Sequence, residues 1–198
     1  MTQNVQNLLS RLSSVTSLKI FSLLQKNFGR VFLYGTCITD LYFGLKPNDF
    51  DCVVDIKKSS EIENFLKDLK IPYERTMFGG YRFEYDGLKI DLWNLKDTFC
   101  ISPKDYKIED LLSLCTLNVQ SILYDIVRGQ ILVSDRWMPA IKRRLLDFVN
   151  LKTLYPEKLE KQTTKLKNRY KFGVSYGLQK QINRISKTLP FSERKIEN

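Results

Sequence analysis

The first 28 residues carry apolar side chains at the spacing of an amphipathic helix. Apolar positions recur every three or four residues over 4–28, which places them on one helical face. Ser13-Ser14 interrupts the pattern and marks a candidate break. We therefore predict helical structure here, with its apolar face packed on a sheet. The recurring positions are Val5, Leu8, Leu9, Leu12, Val15, Leu18, Phe21 and Leu24.

Two short apolar runs follow, and both have the length of a buried strand. They cover 31–34 and 52–56, and their composition favours strands. Residues 36–44 lie between them and predict a short helix. Thr36 is a candidate N-cap for that helix, and Gly44 is expected to end it. The order from the N-terminus is therefore helix, strand, helix, strand.

The next stretch predicts one helix and then three strands. Acidic residues just after Ser59 indicate a helix start, and Pro72 stops the helix, which runs to about Lys70. Asp86-Gly87 is a strong hairpin signal between two of the strands. The strands are predicted at 73–77, 81–85 and 88–95.

The second half of the chain predicts mainly helices. Residues 108–125 read as a helix, and Ser134 opens another that runs to about Leu151. Helices alternating with strands, followed by antiparallel strands, predict an α/β (α+β) fold with a mixed sheet flanked by helices. A short C-terminal helical element follows. We divide the chain into a domain at 1–150 and a basic helical extension at 151–198.

Composition indicates a globular chain without a membrane anchor. The 198 residues are 43% hydrophobic, enough for one domain with a small extension. No apolar run is long enough to span a bilayer. The N-terminus lacks the basic start and apolar stretch of a secretion signal. We expect a cytoplasmic protein with no membrane partner.

Cysteine and histidine usage excludes several kinds of site. The sequence has no histidine and no Cys-x-x-Cys pair, so a zinc site is not expected and Ser-His or Cys-His nucleophilic catalysis is excluded. Reduced core thiols are the expected role of the cysteines. The four cysteines are Cys37, Cys52, Cys100 and Cys115.

The net charge of +10 favours a polyanionic partner such as nucleic acid or nucleotide phosphates. Simple solubility is the alternative explanation. The tail interleaves basic and aromatic residues, a pattern that suits phosphate contacts and base stacking. Lys165 and Arg169 are the candidate phosphate-binding residues there. The alternative is an amphipathic helix whose aromatic side chains pack inward while its lysines face water.

Asp49 and Asp51 are the strongest candidates for chemistry. Residues i and i+2 of a strand point to the same face, so the two carboxylates would converge. Two divalent cations roughly 3.5–4 Å apart would fit there, as in two-metal phosphoryl transfer. Gly35-Thr36 turns the chain into the preceding helix, whose N-terminus favours phosphate. The alternative is a pair of solvated aspartates at a strand start.

These residues resemble the head of the DNA polymerase beta-like nucleotidyltransferase superfamily, most closely the bacterial poly(A) polymerase and CCA-adding enzymes. Two residue types depart from the family pattern. Thr36 stands where a second glycine is usual, and Thr39 stands where arginine is usual. The spacing matches without insertion, and the matching residues are Gly35-Thr36, Thr39-Asp40, Gly44 and Asp49-Phe50-Asp51.

The resemblance implies roles for several further residues. A third acid on a neighbouring strand would fall on Asp91, which would complete the metal site or accept a proton. The alternative is a hairpin-face charge paired with Lys89 or Arg82. Gly35, Thr36, Thr39 and Asp40 would lie at the substrate.

The ribose-reading Arg-Arg-Asp of the family is replaced here by Leu112-Ser113-Leu114. Asn118 is the polar residue left at the matching place, and it is a candidate substrate contact. A side chain that caps or bridges helices is the alternative for Asn118.

The implied activity is transfer of a nucleoside monophosphate from an NTP to an acceptor hydroxyl, with two Mg²⁺ ions, or Mn²⁺, at Asp49, Asp51 and Asp91. RNA or tRNA is the expected acceptor. A protein or small molecule, as in minimal toxin-like or modifying enzymes, is the first alternative. A non-catalytic nucleotide- or RNA-binding module is the second, and the intact Asp-x-Asp speaks against it.

Overall fold

The structure is a computed structural model that describes residues 3–76, 78–98, 107–151 and 156–188. It has the predicted α/β architecture. One mixed seven-stranded sheet carries helices on its surface, and a two-stranded sheet lies near the C-terminus. No helix among the described residues is both long and apolar enough to cross a membrane.

The helices and strands are numbered in chain order. The helices are α1 (Gln3–Thr16), α2 (Lys19–Phe28), α3 (Thr36–Tyr42), α4 (Ser60–Asp68), α5 (Leu111–Leu114), α6 (Trp137–Arg143), α7 (Pro156–Tyr170) and α8 (Tyr176–Thr188). The strands are β1 (Val31–Tyr34), β2 (Phe50–Val54), β3 (Tyr73–Arg75), β4 (Tyr81–Tyr85), β5 (Leu88–Asn94), β6 (Ile122–Asp125), β7 (Gln130–Val133), β8 (Leu145–Leu146) and β9 (Gly173–Val174).

The order of the seven strands places β2 in the centre of the large sheet. The order is β3-β4-β5-β2-β1-β6-β7. Strand β2 runs antiparallel to β1 and parallel to β5. In this register Asp51 lies beside Asp91 on one side and beside Tyr34 on the other. Two of the three acids predicted from the sequence are therefore direct cross-strand neighbours.

The two faces of the sheet bury different groups of side chains. Leu33, Cys52 and Val54 point to one face and join the main core with helices α1 to α4. Phe32 and Val53 point to the other face, where they pack with the segment around Leu111. Because side chains alternate along a strand, Asp51 shares the second face with Val53. The carboxylates thus lie on the less covered face of the sheet.

The C-terminal helices pack on the rest of the molecule through an apolar contact. Phe43 follows α3, and its ring centroid lies 5.5 Å from that of Tyr170 and 5.8 Å from that of Phe172. Strands β8 and β9 pair in parallel, which joins the segment after α6 to the segment after α7. Residues on both sides of position 150 therefore share one core, and the proposed division at that position stays a prediction.

Several local predictions are confirmed. Strands β1 and β4 have the predicted bounds, and α3 begins at Thr36. The predicted N-cap is corrected by one residue, because Gly35 precedes the helix and no side chain caps it. The break near Ser13-Ser14 lies further along the chain, between Thr16 and Lys19.

The predicted helix at 108–125 is wrong. That segment contains single 3-10 turns, the four-residue α5 and strand β6. Strand β6 pairs with both β1 and β7, so long-range pairing overrides the local apolar pattern. The helix predicted up to about Leu151 ends instead at Arg143, because Arg144 adopts a left-handed φ of 50°. Cys100 and 191–198 lie outside the described residues.

Candidate functional site

Three acidic residues converge on the exposed part of the second sheet face. Asp51 and Asp91 are cross-strand neighbours on β2 and β5. Asp49 precedes β2 by one residue and acts electrostatically on Asp51. All three are half-buried. The structure therefore brings together the three carboxylates that the sequence singled out.

The electrostatics of this group centre on Asp51. The pKa of Asp51 is raised from its ordinary value of 3.8 to about 7, first by desolvation and then by the charges of Asp49 and Asp91. Arg82 and Lys165 oppose that shift. Negative charge is therefore concentrated here beyond what the neighbouring cations balance. A bound cation would relieve this repulsion.

Asp91 is held by an arginine from the adjacent strand. Arg82 Nε lies 2.7 Å from Asp91 Oδ1, and Arg82 Nη2 lies 2.6 Å from Asp91 Oδ2. Arg82 is thus the partner that the sequence offered as an alternative role for Asp91. Both oxygens of Asp91 are engaged, and within the described part of the chain no three His, Cys, Asp or Glu side chains form a ready metal-ligand group.

Gly35 provides close access to Asp51. Its φ is 77°, in the region that favours glycine. A Cβ at this position would lie 4.0 Å from Asp51 Oδ2 and 3.9 Å from the Gln120 carbonyl oxygen. The turn between β1 and α3 therefore borders the carboxylate directly. Thr36 is the first residue of α3 and is half-buried.

Thr39 and Asp40 do not face this site. Thr39 is fully buried, and its hydroxyl donates to the Val119 carbonyl at 2.7 Å and accepts from Trp137 Nε1 at 3.0 Å. Asp40 is 3% exposed, and Arg169 holds both of its oxygens at 2.6 and 2.7 Å. The polar atoms of Thr39, Asp40 and Arg169 therefore bond to one another or to other groups of the protein, and the substrate contacts suggested for these three residues stay predictions.

Asn118 also has a structural role. It is 6% exposed, and its side chain donates to the Leu145 carbonyl at 3.0 Å and accepts from the Asp147 backbone at 3.1 Å. This is a bridging contact, the alternative that the sequence left open. Lys165 differs, because it is exposed on α7 and its charge acts on Asp51.

A cleft of about 650 Å³ extends from Asp51 and Asp91 across strands β4 and β3. The half-buried Trp93 lies on the same face of β5 as Asp91, and its ring meets that of Tyr34 edge-on at 6.1 Å. Phe78 is 42% exposed at the turn between β3 and β4. Sequence reasoning did not single out these aromatic residues. The alternation on β5, which puts Trp93 on the face of Asp91, was the available signal.

Comparison with solved structures identifies the fold. The structure is similar to a complex of a CCA-adding enzyme with ATP, at a TM-score of 0.71 and 17% sequence identity, over 96% of this chain and 47% of that chain. The chain has a nucleotidyltransferase fold. The Thermotoga maritima CCA-adding enzyme complexed with tRNA gives a TM-score of 0.66 at 17% identity, over 90% and 45% of the two chains.

A third nucleotidyltransferase structure has the same relation to this chain. It is a tRNA nucleotidyltransferase with a primer tRNA and an incoming ATP analog, at a TM-score of 0.65 and 13% identity, over 92% of this chain and 53% of that one. This chain therefore spans about half the length of these structures. No protein-family profile and no curated sequence matches it.

Proposed function

We propose that this protein is a metal-dependent nucleotidyltransferase that moves a nucleoside monophosphate from an NTP to an acceptor hydroxyl, with RNA or tRNA as the acceptor. The observation that carries the proposal is the convergence of Asp49, Asp51 and Asp91 beside Gly35. These residues lie on a fold shared with enzymes solved with ATP, CTP and tRNA.

The donor set fits magnesium. Carboxylate oxygens are hard ligands, and Mg²⁺ is commonly held by one or two carboxylates together with substrate phosphates. Asp49 and Asp51 supply those carboxylates, and the pKa of Asp51 is raised by desolvation and by the negative charges of Asp49 and Asp91. Asp91 would join them once Arg82 turned away. When bound, two divalent ions activate the acceptor hydroxyl and neutralise the leaving pyrophosphate.

In this proposal the NTP phosphates bind on the side of Asp51 that faces Gly35. The backbone there approaches Asp51 closely without a side chain in the way. Thr36 opens α3, so its backbone amide is available for a phosphate oxygen. Lys165 brings positive charge towards Asp51 from α7. Together these groups orient a triphosphate whose α-phosphate lies over the carboxylates.

In the same proposal the acceptor binds on the opposite side of Asp51, in the cleft. In-line displacement requires the attacking oxygen and the leaving pyrophosphate to lie on opposite sides of the α-phosphate. With the triphosphate beside Gly35, the acceptor approaches from β5 and β4, where the cleft lies. Trp93 and Phe78 offer aromatic surface for a base, and Asp91 lies where it could accept the hydroxyl proton.

Two observations favour the alternative functions. Leu112-Ser113-Leu114 replaces the ribose-reading triplet of the family, which argues against faithful CCA synthesis and leaves a protein or small-molecule acceptor open. The bidentate hold of Arg82 on Asp91 favours a non-catalytic nucleotide-binding module. The net charge of +10 supports the RNA acceptor over both.

Incubation of the full chain with each α-³²P-labelled NTP and Mg²⁺, with total RNA and with RNase-treated lysate as acceptors, tests the proposal. We expect label on RNA, and its loss when EDTA replaces Mg²⁺. Label on protein alone would favour the first alternative. NTP binding with no labelled product in any fraction would contradict the proposed transfer activity.

A further inference from the structure

A groove of about 680 Å³ between Phe148 and helix α8 has no part in the proposed transfer reaction. Its lining combines two aromatic residues, two cations, three amides and one glycine, and no carboxylate contributes to it. The lining residues are Phe148, Tyr176, Gly177, Gln179, Lys180, Gln181, Asn183 and Arg184. Such a lining is complementary to an anionic ligand that also carries planar rings.

Helix α8 packs on the core with one face and lines the groove with another. Leu178 and Ile182 are buried at a spacing of four residues and join the core. Tyr176, Lys180 and Arg184 are exposed at the same spacing, which aligns them along another face. They span about 12 Å along the helix axis at its rise per residue. The fold therefore does not need these side chains for packing.

Tyr176 is the most exposed large hydrophobic residue of the described chain, at 85%. An aromatic ring at such exposure leaves nearly all of its apolar surface in water, which is unfavourable unless a ligand covers it. The ring stands at the start of α8, on the same face as the cations of Lys180 and Arg184. One aromatic side chain followed by two cations along a helix face can provide a stacking surface for a base together with phosphate contacts.

A third cation lies next to the opposite wall of the groove, which Phe148 forms. A Cβ on Gly177 would lie 3.6 Å from Phe148 Cε1, so the Phe148 ring is in contact range of α8. Arg136 is exposed, and its Nη1 donates to the Phe148 carbonyl at 3.1 Å. A guanidinium is thereby fixed beside the aromatic wall. The groove therefore has a ring on each side and two cations on α8, and a third cation lies next to it.

We propose that this groove binds single-stranded RNA, with a base stacked on Tyr176 and backbone phosphates at Lys180, Arg184 and Arg136. The inference extends the proposed RNA acceptor by assigning it a second contact surface away from the carboxylates. An acidic protein segment would match the charge but would not use the exposed ring. The side-chain amides of Gln181 and Asn183 can pair with base edges, which single strands expose.

Fluorescence anisotropy with a labelled mixed-sequence single-stranded RNA, in EDTA and without NTP, tests this binding independently of catalysis. Lys180→Gln with Arg184→Gln should weaken binding by about tenfold and lower the slope of log K against log salt by about 1.4, at about 0.7 per phosphate on a single strand. The matched control is Lys19→Gln with Lys26→Gln, which removes the same charge from two exposed lysines of α2. It should change RNA binding little.

Substitutions at Tyr176 separate stacking from charge. Tyr176→Ala should weaken RNA binding at least about fivefold at constant charge, and Tyr176→Trp should retain it. Wild-type binding in all groove variants would overturn the proposal. Equal weakening by the groove and control pairs would do so too, as would tighter binding of single-stranded DNA of the same sequence or binding of acidic peptides alone.

The outcome is distinguishable from failure of the proposed transferase activity. If the protein binds RNA through the groove and transfers no nucleotide, the result contradicts the proposed transfer activity and supports RNA binding in the groove. If all groove variants label RNA with wild-type efficiency, the result supports the proposed transfer activity and contradicts RNA binding in the groove. Equal melting temperatures of the variants establish that the exposed substitutions leave the fold intact.

Discussion

Arg169 on α7 donates hydrogen bonds to both carboxylate oxygens of Asp40 on α3, at 2.6 and 2.7 Å. Arg169 Nη2 also donates to the Lys46 carbonyl at 2.7 Å, and the Tyr170 hydroxyl donates to Asp40 Oδ1 at 2.9 Å. Helix α3 begins directly after Gly35, and the segment at Lys46 leads to Asp49. The C-terminal helix therefore ties together two elements that position the candidate site.

Arg169→Gln should destabilise the protein by about 3 kcal/mol, because removing one partner of a buried ion pair leaves the other charge buried and uncompensated. Urea unfolding measures the loss. Lys167→Gln, an exposed change on the same helix, is the control and should stay within about 0.5 kcal/mol of wild type.

The double variant Arg169→Gln with Asp40→Asn should lose less stability than the sum of the two single variants, because the charges vanish together. Additive losses, or an unchanged Arg169→Gln, would show that this ion pair does not join α7 to α3.

Arg82 should regulate how strongly the carboxylates bind a divalent cation. Its guanidinium neutralises Asp91 and opposes the raised pKa of Asp51. Arg82→Gln should therefore tighten Mn²⁺ binding by about three- to tenfold, since one opposing charge is removed from the site. Asp91→Asn should weaken it. Electron paramagnetic resonance of free Mn²⁺ measures both, and weaker binding in Arg82→Gln would contradict this role.

The stability of the metal-free protein should fall as pH rises. The pKa of Asp51 is about 7 in the folded protein and near 3.8 when unfolded. Between these values the folded state holds the Asp51 proton more tightly than the unfolded state does. The contribution of Asp51 to the free energy of unfolding is therefore fully present below about pH 4 and is lost as the pH passes 7.

Asp51→Asn should remove that part of the pH dependence and raise the melting temperature at pH 8 in EDTA. Calorimetry at pH 5.5 and pH 8 compares the two proteins. The same dependence of melting temperature on pH in wild type and Asp51→Asn would contradict the raised pKa of Asp51.

The aromatic cleft should act on the acceptor and leave the NTP unaffected. Phe78 is exposed at the turn that borders the cleft, so Phe78→Ser removes stacking surface with little effect on folding. We expect KM for the acceptor to rise about fivefold at an unchanged KM for the NTP. Steady-state kinetics with each substrate varied separately measure this, and a rise confined to the NTP would place the acceptor elsewhere.

The sheet face that carries Asp49, Asp51 and Asp91 could be predicted because the sequence patterns that indicate it are local. Alternation along β5 puts Asp91 and Trp93 on one face, and the i, i+2 spacing does the same for Asp49 and Asp51. The turn at Gly35 likewise follows from a short apolar run before a helix. Each inference needed only neighbouring residues.

The partners of these residues could not be predicted, because they are distant in sequence or depend on register. Arg169 and Asp40 are 129 residues apart in sequence. Trp137 and Thr39, which form a side-chain hydrogen bond, are 98 residues apart. Strand β6 was assigned to a helix because its pairing with β1 is invisible in its own apolar pattern. The choice of Arg82 over Lys89 as partner of Asp91 follows from the antiparallel register of β4 and β5.

Single-turnover transfer of labelled nucleotide by the double variant Asp49→Asn with Asp51→Asn measures whether the carboxylate pair is required for transfer. We expect the rate to fall by at least about a thousandfold, with an unchanged fold by circular dichroism. Asp55→Asn, at an exposed aspartate just after β2, is the matched control and should keep the wild-type rate. Transfer at the wild-type rate by the double variant would show that Asp49 and Asp51 do not hold the catalytic metal ions.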